Sequence, residues 1–111
     1  MSASPDVLQL FSLILDSSTK MLELAQQESW DALVEHEQHR RQIVDALRKS
    51  LETQGKPKDP ATRAKAEELN QRILAADAKT RELVQQGMAE IDQRLNSVST
   101  SKKLLNTYLA P

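Results

Sequence analysis

At 111 residues, with no cysteine, two glycines, four prolines and three aromatic side chains, the sequence reads as one small domain, 1–111, of helix-forming residues. That composition supplies almost nothing for strands, provides neither a disulfide framework nor a thiolate metal site, and suits a reducing cytosol. With 15 Lys and Arg against 16 Asp and Glu, the formal net charge is −1, which removes the basic excess that a nucleic-acid binder uses. The longest aliphatic run is Leu13-Ile14-Leu15, so no membrane span is expected. The acidic N-terminus lacks the regions of a secretory signal, and the mature chain is expected to start near Met1.

In chain order, Ser4 is the expected N-cap of a first helix over about 5–26, with Pro5 at its first position and Asp6 at its positive end. Val7, Leu10, Phe11, Ile14, Met21, Leu22 and Ala25 give it a broad apolar stripe, interrupted from Ser17 to Lys20. Ser18 stands where a second helix could come close. Ser29 is the expected cap of a second helix over about 30–52, which opens on the only tryptophan, Trp30, and carries Leu33, Val34, Ile43, Val44, Leu47 and Leu51 inward. From Glu35 to Gln42 this helix has no aliphatic residue, so an inward Glu37 or Arg40 must be paired or hydrated, forming a polar belt in the bundle.

Gly55, Pro57 and Pro60 stop the second helix and leave a short exposed linker. Asp59-Pro60 then signals a third helix over about 61–98, whose stripe runs Ala66, Leu69, Ile73, Ala76, Leu83, Val84, Met88, Ile91, Leu95 and Val98. Gly87 within it permits either a close helix contact or a bend. Lys102 to Leu109 reads as a short fourth helix over about 102–109, with Leu104, Leu105, Tyr108 and Leu109 on one side. The fold class is therefore all-α, an antiparallel bundle of three main helices with a short C-terminal fourth.

At 1.5 Å per residue the first two helices reach about 33 to 35 Å and the third about 57 Å, so about 20 Å of the third is expected to overhang. Val84, Met88, Ile91 and Leu95 continue its stripe beyond the expected reach of the hairpin, and such a patch marks an interface. Three coverings are open: the C-terminal segment folded back through Leu104, Leu105 and Tyr108, a second copy of the chain, or a client helix in the groove.

Charge is unevenly placed. Residues 1–37 hold seven acids and one base, whereas residues 38–65 hold eight bases and three acids. Solvated faces of opposite sign that attract each other within the hairpin account for this. A direct DNA contact through Arg40, Arg41, Arg48 and Lys49 has no interleaved aromatics behind it. His36 and His39 are spaced i and i+3 rather than i and i+4 and lack a third ligand, so they read as structural rather than as a metal site. No phosphate loop or activated nucleophile appears, so neither an enzyme nor a cofactor is expected.

Met21-Leu22-Glu23-Leu24-Ala25 followed by Glu28, Trp30-Asp31, Leu33 and Glu37 resembles the FliT family of bacterial flagellar export chaperones. So do Ile73-Leu74, Leu83-Val84, Met88-Ala89-Glu90-Ile91 and Lys103-Leu104-Leu105-Asn106-Thr107-Tyr108, and the likeness spans nearly the whole chain. The resemblance implies a cytoplasmic helical chaperone that holds the flagellar filament-cap protein soluble and delivers it to the type III export gate. In enteric relatives it also implies contact with export-ATPase components and with the master flagellar transcription activator. It further implies a C-terminal segment that covers the binding surface, with Tyr108 as a partner residue, although this chain ends three residues later at Pro111.

The expected partner-binding set is thus Val84, Met88, Ile91, Leu95, Val98, Leu104, Leu105 and Tyr108. The rival expectation is a structural homodimer, paired as a coiled coil through the overhanging helices, with no client.

Overall fold

The computed structural model describes residues 6–93 and Thr107, with the backbone alone for residues 91–93. It contains helices α1 (Val7–Gln26), α2 (Trp30–Gln54) and α3 (Pro60–Gln93), and no strand among the described residues. The expected continuation of α3 to residue 98 and the fourth helix over 102–109, Thr107 apart, lie outside the described residues.

Helix α1 starts on Asp6 and not on Ser4. The Asp6 side chain accepts from the Leu8 backbone N–H, and the Gln9 side chain accepts in return from the Asp6 N–H at 3.0 Å. This reciprocal box satisfies amide donors that the first turn leaves without partners. The Asp59 side chain caps α3 without a reciprocal partner, accepting from the Thr62 N–H at 3.0 Å and the Thr62 hydroxyl at 2.8 Å, with Pro60 at the first helical position as expected. Those bonds to Thr62 hold the Asp59 carboxyl below its ordinary pKa.

The α1–α2 turn differs from the expected serine cap. Ser29 occupies the cap position of α2, yet its hydroxyl makes no capping bond. Its backbone N–H instead donates to Leu24 O at 2.9 Å, while the Glu28 N–H donates to Ala25 O at 3.1 Å. Together these close α1 in a Schellman motif, and the motif requires Glu28 in the left-handed region at φ 57°. A side chain there carries strain that glycine would not. Glu28→Gly is therefore expected to stabilise the protein by about 0.5–1 kcal/mol, read as a raised midpoint in thermal unfolding.

Helix α1 packs against both neighbours, whereas α2 and α3 meet chiefly through a few side chains. Two apolar clusters result. At one end Val7, Leu10 and Ile14 of α1 meet Leu47 of α2 and Ile73 of α3, flanked by Phe11, Ile43, Val44 and Leu51. At the other, Met21, Leu24 and Ala25 meet Leu33, Val34 and Val84, flanked by Trp30, Leu83 and Met88. α3 therefore runs alongside α1 in the same direction, and α2 runs against both.

Between the clusters lies the polar belt. The Arg40 guanidinium donates to Ser18 Oγ at 2.8 Å and to both Asp77 carboxylate oxygens at 2.7 and 2.9 Å, tying all three helices together. Glu37 is buried and accepts from the Arg41 guanidinium at 2.9 and 3.0 Å. Buried Thr80 satisfies its hydroxyl on the Ala76 carbonyl at 3.1 Å. Both inward polar residues expected from the Glu35–Gln42 stretch are paired, as burial of a charge demands.

Candidate functional site

The register of α3 on α1 decides how much of the stripe is left uncovered. Ile73 sits with Leu10 and Ile14, and Val84 sits with Met21 and Ala25, so equal advances along the two parallel helices stay in step. Ala66 lies beside Val7 and Phe11 at the start of α1, which leaves the first turns of α3 projecting at that end. Among the described residues, some of the expected surplus of about 20 Å therefore lies at the start of α3. Past Met88 the described helix runs on by residues 89–93, about 8 Å at 1.5 Å per residue, and the expected continuation to 98 lies outside the described residues.

Val84 is accordingly not beyond the reach of the hairpin. It is fully buried among Met21, Leu24, Ala25, Leu33 and Val34, where it serves the core. Met88 is half-buried against the same cluster. Ile91 lies in α3, although only its backbone is described, and Leu95, Val98, Leu104, Leu105 and Tyr108 lie outside the described residues.

What carries the hairpin to Met88 is Trp30, which the sequence flagged only as the start of α2. Its half-buried indole lies across Gly87, so close that a Cβ on Gly87 would meet Trp30 Cη2 at 2.8 Å and Cε2 at 3.0 Å, with Cζ2 nearer still. Of the two roles open to Gly87, close contact is the one realised. A cleft of 210 Å³ borders this contact, lined by Ala25, Gln26, Glu28, Leu83, Gln86 and Glu90 together with the two residues themselves. A larger groove of 640 Å³ lies along α2, where Asp31, Val34, Glu37, Gln38 and Arg41 share its lining with Thr107.

His36 faces the α1–α2 seam. Its Nε2 atom is shut off from solvent without a hydrogen-bond partner, and its ring lies 6.0 Å from that of His39. Burial, followed by the neighbouring positive groups His39, Lys20 and Arg40, lowers its pKa below 6.5. A histidine that is harder to protonate when folded adds no pH dependence above about pH 6.5, and it costs stability as pH falls from there to the folded-state pKa. His36→Gln is expected to flatten the fall of the thermal midpoint below about pH 6.5 relative to the parent. An unchanged slope would assign the acid sensitivity to other groups. Among the described residues, no three His, Cys, Asp or Glu side chains gather as a metal site would require, and no helix is long and apolar enough to cross a membrane.

The family model described as flagellar protein FliT matches residues 8–110. No curated protein and no solved structure gives a significant match.

Proposed function

The chain belongs to the FliT family of flagellar proteins, a family of export chaperones, and from that premise we propose that it keeps the filament-cap protein soluble in the cytoplasm and delivers it to the type III export gate. The client contributes a helical segment whose apolar face lies against Met88 and Ile91 of α3 and against Leu95 and Val98 of the chain that follows. Leu104, Leu105 and Tyr108 of the last segment complete or compete for that surface. Export-ATPase components and the master transcription activator are proposed as further partners of the same surface.

The observation that supports this reading is the meeting of Trp30 with Gly87. The hairpin ends there, whereas the apolar spacing of α3 continues in the sequence. Covering a few hundred Å² of apolar surface at about 25 cal/mol per Å² supplies several kcal/mol, enough for reversible binding once ordering costs are subtracted. Release then needs only a competitor for the groove.

Calorimetric titration with the filament-cap protein tests the reading. Ile91→Asp or Leu95→Asp is expected to weaken binding by at least about 100-fold, or about 3 kcal/mol, with the helical circular dichroism and thermal midpoint retained. Affinity within about threefold of the parent in both variants would refute it, as would a concentration-independent dimer that binds no client.

A further inference from the structure

The end of the bundle where α1 turns into α2 carries charge of one sign beside the client surface. Residues 21–37 hold Glu23, Glu28, Asp31, Glu35 and Glu37 and no Lys or Arg, and residues 82–90 of α3 add Glu82 and Glu90, again with no base. The register sets the two stretches side by side, since Val84 packs with Met21, Ala25 and Leu33. Lys20 takes Glu23 at 3.8 Å and Arg41 takes Glu37 at 2.9 Å. Glu28, Asp31, Glu35 and Glu82 are exposed and in no ion pair among the described residues.

Both recesses at this end belong to the acidic rim. The 210 Å³ cleft beside Gly87 has Glu28 and Glu90 in its lining and no base. The 640 Å³ groove along α2 sets Asp31, Glu35 and Glu37 against Arg41 alone, whose guanidinium Glu37 already holds. Lys79 and Arg81, in the preceding turns of α3, line neither recess. Trp30 and Leu83 of the cleft and Val34 of the groove belong to the apolar cluster on which Met88 packs, so the carboxylates edge the end that a client would cover. A second observation agrees in sign. Thr107 lines the groove, and it comes from a stretch, residues 94–111, that holds Arg94, Lys102 and Lys103 and no acid.

We propose, resting on the client surface given above, that the segment accepted at this end is a basic amphipathic helix: its apolar face covers Met88 and Ile91, and its flanking Lys or Arg side chains reach Glu28 of the cleft and Asp31 and Glu35 of the groove. The apolar face supplies most of the affinity, while the opposed charge steers and orients the helix and turns acidic helices away. The same carboxylates repel nucleic acid and anionic lipid. They form no cage for a metal ion, since no three His, Cys, Asp or Glu side chains gather among the described residues.

Three fluorescein-labelled helical peptides of about 18 residues test this by anisotropy on the full chain: a Leu face between Lys flanks, the same face between Glu flanks, and Lys flanks with Ser in place of Leu. The Lys-flanked Leu peptide is expected to bind saturably and at least about tenfold tighter than either of the others. Its affinity should fall at least about tenfold with Glu28→Lys/Glu35→Lys and on raising salt from about 0.05 to 0.5 M, and by less with Glu28→Gln/Glu35→Gln. Both side chains are exposed, so the double variants should keep their circular dichroism. Ile91→Asp adds an acid yet should weaken binding by spoiling the apolar face. Tighter binding to that variant, no saturation, equal or tighter binding of the Glu-flanked peptide, or equal binding of the Ser peptide would each overturn the proposal. Titration of the filament-cap protein separates this outcome from that of the client reading. Cap-protein affinity indifferent to salt and to Glu28→Lys/Glu35→Lys removes the basic flank and leaves the client standing, whereas peptide selectivity without cap-protein binding removes the named client and leaves the surface chemistry.

Discussion

Gly87→Ala is expected to destabilise the bundle by about 1–2 kcal/mol and to shift the Trp30 emission to the red, although alanine is the better helix former. Two effects oppose each other. Filling an interior helical glycine gains about 1 kcal/mol of backbone propensity. The added methyl, however, would fall inside the contact distance of three Trp30 ring carbons, so either the indole leaves α3 or the helices part. Overpacking of this kind costs about 1–3 kcal/mol, and loss of the indole from its half-buried site adds to that. For a chain of this size the thermal midpoint should drop by about 5–10 °C.

The background decides the sign, which makes the experiment discriminating. With Trp30→Ala the obstruction is gone, and Gly87→Ala should then stabilise the protein by about 1 kcal/mol. The coupling between the two positions is thus about 2–3 kcal/mol. If Gly87→Ala stabilises the parent chain with unchanged emission, Trp30 does not lie across α3.

Much of this architecture is legible in the sequence because helix periodicity and helix ends are local. The α1 and α2 stripes, the Asp59-Pro60 start of α3 and the need to pair Glu37 and Arg40 all follow from residues within a few turns of one another. What is not legible depends on register between distant segments. Nothing near Val84 says whether it meets Met21 or projects past it; that is set by Ile73 on Ile14, 59 positions away in the chain. Nor does a helical glycine announce whether it bends a helix or receives a ring. The pairing of a lone tryptophan with an interior glycine was the available signal, and it would have placed the end of the hairpin at Gly87. The choice of Asp6 over Ser4 and the idle Ser29 hydroxyl are not legible for a smaller reason: several residues near a helix start can cap, and helix ends are fixed only to within a residue or two.

Asp77→Ala is expected to cost about 2–3 kcal/mol in denaturant unfolding, more than any exposed ion pair among the described residues. The Asp77 and Arg40 side chains are 25% and 16% exposed, so the loss is less than the 3–5 kcal/mol of a fully buried pair but well above the ~0.5 kcal/mol of a pair such as Lys20 with Glu23. The cost arises because Arg40 would keep a desolvated charge with only the Ser18 hydroxyl to receive it. Replacing both partners, Arg40→Met with Asp77→Leu, removes that charge and should return stability to within about 1 kcal/mol of the parent.

The two variants separate stability from specificity. Two apolar clusters with a bonded polar layer between them allow one alignment of α3, because a shift by one turn would strand Asp77 and Arg40 in apolar surroundings. An all-apolar layer lacks that penalty. If the polar layer fixes the register, the double variant stays as stable as the parent while its Trp30 emission moves to the red, since an α3 displaced by a turn no longer presents Gly87 to the indole. Parent-like emission would mean that the Trp30–Gly87 fit aligns the helices by itself, and that the Arg40 tie follows from the register without setting it.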